Sequence, residues 1–151
     1  MTYEDLLIEA SAEGLKIKEC PLKAYKGRIR NNKILIKKDM SQNEKKCILA
    51  EELGHYYTSV GDILDQTKEN NRKQEHIARR AGVKILLNPA MLVDACINGC
   101  NNLNEVAEFL NITEEFLIEG LNVFKAMYGC KIKIDSYTLF FTDFGFYVKQ
   151  V

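Results

Sequence analysis

The chain has 151 residues, with 21 Lys+Arg against 21 Asp+Glu, 46% hydrophobic and 28% charged residues. Those proportions are those of a soluble globular protein long enough to bury a core. A zero balance speaks against a dedicated nucleic-acid binder, an acidic disordered tail or a polybasic membrane anchor.

No apolar run approaches the ~20 residues that span a bilayer. The opening MTYEDLLIEA is acidic and lacks the basic-then-apolar layout of a signal peptide. The expected setting is cytoplasmic, with no membrane partner. Five cysteines, an odd count without a CxxC pair, agree with a reducing compartment. Cys96 and Cys100 lie four apart and read as buried reduced thiols.

In chain order, Thr2 to Glu13 reads as an amphipathic helix with Leu6, Leu7 and Ala10 inward, stopped by Gly14. LKIKEC, AYKGRIR and KILIKK then alternate apolar and charged residues. They predict a small antiparallel sheet, with Asn31-Asn32 as a tight turn. Its nine basic residues between positions 16 and 38 read as a solvated face rather than an RNA contact. Ser41-Gln42-Asn43-Glu44 is a capping box opening a strong helix with Ile48, Leu49, Leu53 and Tyr56 apolar. A polar loop is expected from Gly61 to Asn71, and a second long helix from Arg72 to Leu87. Pro89 starts a third helix, to about Ile97, which Gly99 closes.

Leu103 to Gly129 holds a short helix, a turn and a longer helix from Thr113, a helix-turn-helix-like segment. Its second helix offers Glu114, Glu115 and Glu119, which would repel phosphates, so DNA reading is not expected. KIKID and YTLFFTDFGFYVK read as strands whose aromatics pack on helices. The fold class is α+β, mainly helical. A core is expected over residues 1–100, with residues 101–151 as a helical segment plus strands of the same domain.

The chemistry concentrates in Ala50-Glu51-Glu52-Leu53-Gly54-His55-Tyr56. On a helix, Glu51 and His55 share a face, and Glu52 is rotated about 100° from Glu51. Two ligands at i and i+4 with a glutamate at i+1 is the spacing of the H-E-x-x-H zinc-hydrolase helix. There the glutamate takes a proton from the attacking water. Here Glu51 stands in the first histidine's place, and a carboxylate is also able to bind zinc. Mid-helix Gly54 costs about 1 kcal/mol relative to Ala, so close packing or metal access must require it. Glu75 on the next helix is the candidate third ligand, because Ala78 and Ala81 allow close approach. His76 points elsewhere and reads as a surface histidine or one supporting the site. Tyr56 and Tyr57 read as core contacts.

CILAEELGHYYT and NRKQEHIAR together resemble the ImmA/IrrE family of zinc metallopeptidases, particularly its phage and mobile-element members. The resemblance extends through MTYEDLL, the hairpin and VAEFLNITEEFL. It implies a zincin-like (gluzincin-type) fold, with His55 and Glu75 as metal ligands, Glu51 at the remaining ligand position and Glu52 as general base. It also implies a helix-turn-helix repressor as protein substrate or partner and a role in transcription regulation; direct nucleic-acid contact is not expected, on the charge pattern above. Two carboxylates and one imidazole would leave a zinc ion near neutral, against +1 for a His₂Glu set. Water there would be less acidic than in active zinc sites. The expectation is a slower hydrolase, a harder ion such as Mn²⁺ or Fe²⁺ in place of zinc, or a site too weak to hold metal.

Overall fold

Thr2 caps the first helix, α1 (Tyr3–Ala12). Its hydroxyl accepts from the Asp5 N–H, and the Asp5 carboxylate accepts from the Thr2 N–H at 2.8 Å. Leu6 and Ala10 are fully buried, as their spacing predicts, with Tyr3 beside them and Leu7 half-buried. Gly14 leaves the helix at φ +84°, a left-handed conformation that glycine adopts without strain. The computed structural model describes residues 1–59 and 68–151. It divides into two units, Met1–Leu86 and Leu87–Val151.

In the first unit, α1 leads into β1 (Lys16–Cys20), β2 (Gly27–Arg30) and β3 (Lys33–Lys37), in sheet order β1-β3-β2. The β2–β3 hairpin is antiparallel and turns at Asn31, which sits at φ +56°. β1 joins β3 in parallel, so the sheet is mixed. The loop over 21–26 carries the chain past β3 before the hairpin returns into the middle position. One face buries Ile34 and Ile36. The opposite face carries the lysines and arginines, as the alternation requires.

α2 (Gln42–Thr58) packs on the sheet with α1 beside it, and α3 (Lys68–Leu86) packs on α2. The Ser41 hydroxyl caps α2, accepting from the Glu44 N–H. Leu49, Ala50, Leu53 and Gly54 are buried along α2. The loop expected over Gly61–Asn71 falls largely on residues 60–67, outside the described residues. From Lys68 onward the chain is helical, four residues earlier than Arg72. Lys68 to Asn71 contains no apolar residue, so the run has no periodicity to read, yet Lys and Glu are good helix formers.

In the second unit, Asn88 caps α4 (Pro89–Ile97) with Pro89 in the first turn, and Gly99 ends it at φ +94°. Asn102 caps α5 (Leu103–Leu110), Asn111 turns the chain in the left-handed region, and Thr113 caps α6 (Glu114–Tyr128). The antiparallel meander β4 (Lys131–Ile134), β5 (Tyr137–Phe141), β6 (Phe146–Gln150) closes the unit. Phe116, Leu117 and Phe124 of α6, Leu92 of α4 and Leu139 of β5 form its core. Glu114 and Glu115 are exposed at the start of α6. Only part of the aromatic tail packs inward. Phe141 is buried, Phe140 and Tyr147 stack on each other at 4.8 Å, and Phe144 is 94% exposed at the hairpin tip. None of the five cysteines is in a disulfide; Cys96 and Cys100 are half-buried rather than buried. No helix among the described residues is long and apolar enough to cross a membrane.

The α2–α3 contact explains Gly54. A Cβ there would overlap the Ala78 carbonyl oxygen and lie 2.7 Å from the Gly82 nitrogen. From α3, a Cβ on Gly82 would lie 3.0 Å from the Ala50 carbonyl oxygen. Both helices carry the same Ala-x-x-x-Gly spacing, Ala50/Gly54 and Ala78/Gly82, and meet backbone to backbone there. Gly54→Ala gains about 1 kcal/mol of helix propensity but forces the helices apart. We expect a net loss of roughly 1–3 kcal/mol in urea unfolding, with Gly82→Ala costing less. A Gly54→Ala protein as stable as wild type would contradict this packing.

Candidate metal centre

The glycine contact fixes which side chains meet. α2 presents His55, and α3 brings Glu75 to it, with His55 Nε2 3.9 Å from Glu75 Oε2. Their side chains are 36% and 61% exposed, so the pair opens to solvent. Two ligands of one tetrahedral ion, with bonds of about 2.0–2.1 Å, stand roughly 3.3 Å apart. Small side-chain rotations would close the difference. An imidazole and a carboxylate on adjoining helices suit a zinc-type ion, so this part of the expected set fits a metal.

Glu51 is half-buried. Its Cα lies 3.3 Å from where a Gly82 Cβ would be, on the side of α2 that abuts α3. Among the described residues, no three His, Cys, Asp or Glu side chains are gathered as a set able to hold a metal ion. The structure therefore brings His55 and Glu75 together and does not gather Glu51 with them. His76 is exposed, as its position one residue beyond Glu75 implies.

Glu52 faces a different neighbour. A Cβ on Gly27 of β2 would overlap Ile48 Cγ2 and lie 3.3 Å from both Cγ and Oε1 of Glu52. The carboxylate thus rests on the Gly27 backbone, in space that only glycine leaves. Burial pushes the Glu52 carboxyl above its ordinary range; nearby His55 pulls it down, and Glu75 pushes it further up. All three groups therefore lie within electrostatic reach of one another. β2 is the edge of its sheet, and among the described residues nothing pairs with its outer rim. An open edge beside a half-buried carboxylate is a place where an extended peptide could add a strand.

Two residues of this arrangement escape a motif reading. Gly27 and Gly82 carry no chemistry, and their only signal is a glycine inside a strand or helix pattern, which marks close backbone approach. Tyr56 and Tyr57 meet edge to face at 5.5 Å. Burial, then the charges of Glu13 and Glu9 at the end of α1, pushes the Tyr57 phenol up.

The raised Glu52 carboxyl has a definite sign in metal-free protein. The folded state binds the proton more tightly than the unfolded state, so ionising Glu52 costs stability as pH rises through its folded pKa. Glu52→Gln should raise the urea midpoint of metal-free protein at pH 7. The difference should shrink below about pH 4, where the unfolded carboxyl is also protonated. A variant less stable than wild type by the same amount at every pH would contradict the burial argument.

The profile of the peptidase family described as the IrrE N-terminal-like domain matches residues 10–122. That range takes in the sheet, α2, α3, α4, α5 and most of α6. No curated protein and no solved structure matches the chain. The match covers well over half of the sequence, and the chain belongs to the IrrE N-terminal-like family of metallopeptidase-type proteins.

Proposed function

We propose that this chain is a metal-dependent endopeptidase that cleaves a helix-turn-helix repressor in the cytoplasm. One observation supports the reading above the others: His55 and Glu75 meet at 3.9 Å within electrostatic reach of Glu52, which rests on Gly27 of the edge strand β2. His55 and Glu75 would hold the metal, with Glu51 as third donor after its side chain rotates. The metal, zinc or a harder ion such as Mn²⁺ or Fe²⁺, supplies Lewis-acid activation of water and of the scissile carbonyl when bound. Glu52 takes the proton from the attacking water on a carboxylate oxygen and delivers it to the departing amine nitrogen. Its partial burial suits that task, because a raised carboxyl pKa brings a general base closer to working pH. Main-chain N–H and C=O groups on the rim of β2 would hold the substrate segment extended across Glu52.

A second reading keeps the fold and the partner but not the hydrolysis. Glu51 in place of a histidine favours it, as does the lack of a gathered three-donor set among the described residues. The protein would then bind the repressor and antagonise it without cutting it.

Two measurements separate the readings. Purified from metal-replete medium, wild type should carry about one divalent ion per chain by mass spectrometry, and His55→Ala should lose most of it. Absence of stoichiometric metal from both would end the peptidase reading. Co-expressed with a candidate helix-turn-helix repressor, wild type should shorten that repressor, and Glu52→Gln should slow cleavage roughly 10²–10⁴-fold. An intact regulator that co-purifies with both proteins would select the binding reading.

A further inference from the structure

The cations of the N-terminal sheet form one continuous face. The strand register places Lys16 beside Lys33 and Lys33 beside Arg30, a rung of three positive charges. The next rung is Lys18, Leu35 and Arg28, and Lys37 continues the face along β3. The only acid in these strands, Glu19, lies in the rung of buried Ile36 and pairs with Lys45 of α2. The outer face therefore carries six cations and no carboxylate. Among the described residues, no ion pair engages any of the six. Like charges directly opposite across strands destabilise a sheet. A chain with zero net charge thus places an uncompensated positive lattice on one surface.

The same face holds a cavity of about 420 Å³, lined by Tyr25, Arg28, Arg30, Asn31, Asn32, Lys33 and Leu35. The Arg28 guanidinium lies 5.3 Å over the Tyr25 ring and donates to the Tyr25 hydroxyl at 3.2 Å. An aromatic ring, a stacked guanidinium and two amide side chains in a nucleotide-sized recess are the groups that contact bases and sugars.

We propose that the outer face of the β1–β3–β2 sheet binds the phosphodiester backbone of a nucleic acid, with one nucleotide seated against Tyr25 and Arg28. An acidic peptide fits less well. An extended peptide offers one line of carboxylates, about 6.7 Å apart. The cations here span all three strands, and a carboxylate gains nothing by stacking on the ring face. The neutral total does not oppose this, because the acids Glu51, Glu52 and Glu75 belong to α2 and α3. Binding on this face does not depend on whether the chain hydrolyses peptides.

Fluorescence anisotropy of the full chain with labelled 20-nucleotide single-stranded DNA, duplex DNA and RNA tests it, with a poly-Glu peptide as comparator. At least one nucleic acid should bind in the micromolar range at 50 mM salt. About five phosphate contacts would weaken single-strand binding roughly 100-fold by 200 mM salt. Arg30→Gln/Lys33→Gln should lower affinity at least tenfold and flatten the salt slope, while leaving the protein no less stable, since it relieves repulsion. Lys131→Gln/Lys133→Gln, on the other sheet, should bind as wild type. Tyr25→Ala should weaken single-strand binding without changing the salt slope. No binding of any nucleic acid at 50 mM salt would overturn the proposal. So would unchanged binding by Arg30→Gln/Lys33→Gln, or poly-Glu binding as tightly as the nucleic acids.

Discussion

The backbone contact between α2 and α3 is the constraint on which the site depends. Gly54 lies against the Ala78 carbonyl and Gly82, at a separation that no side chain at position 54 permits. At an ordinary interaxial distance of 8–10 Å, side chains stand between two helices. Here the side chains next to the contact are brought face to face instead. His55 follows Gly54 directly, and Glu75 precedes Ala78 by three positions, so closure at the glycines places them together. A residue type chosen against helix propensity is explained by what it lets its neighbours reach.

β2 has two faces with opposite electrostatic character. Its inner side, at Gly27, supports the Glu52 carboxylate, and its outer side presents Arg28 and Arg30. Alternation along a strand makes this separation automatic. The acidic and basic groups lie a strand's thickness apart without neutralising one another. Gly27 is the point where the inner side gives way. Without a side chain there, Glu52 and Ile48 pack against backbone, and the carboxylate is desolvated enough to hold its proton more firmly than an exposed glutamate.

Much of this was legible in the sequence because the signals are local. The Ser41 box caps α2 as read, helices begin at Pro89 and just after Thr113 as expected, and the E-E-x-x-H spacing places Glu51, Glu52 and His55 on α2 whatever the tertiary structure. Glu75 could be nominated because Ala78 and Ala81 promised close approach, although Gly82 rather than Ala81 makes the backbone contact. What stayed hidden is non-local or unpatterned. The parallel pairing of β1 with β3 depends on the path of the loop over 21–26, and alternation is the same for either direction. The first turn of α3 has no apolar residue to betray its period. Phe144 reads as core by type, yet sits at a hairpin tip where no element covers it.

The replaced ligand can be placed within this geometry. Glu51 and His55 are one helical turn apart and share the face of α2 turned toward α3, whereas Glu52, about 100° away, is turned toward β2. The Glu51–His55 side and Glu52 are thus segregated by helix rotation, with α3 facing the one and the sheet the other. The glycine contact fixes the backbones of both helices, so gathering Glu51 with His55 and Glu75 is a matter of side-chain rotation and not of fold. A glutamate reaches further than a histidine ring and has one more rotatable bond. It can enter or leave such a set at little backbone cost, but it spends more rotamer freedom in doing so. For the proposed metal centre, a glutamate at position 51 therefore means less preorganisation on the same scaffold.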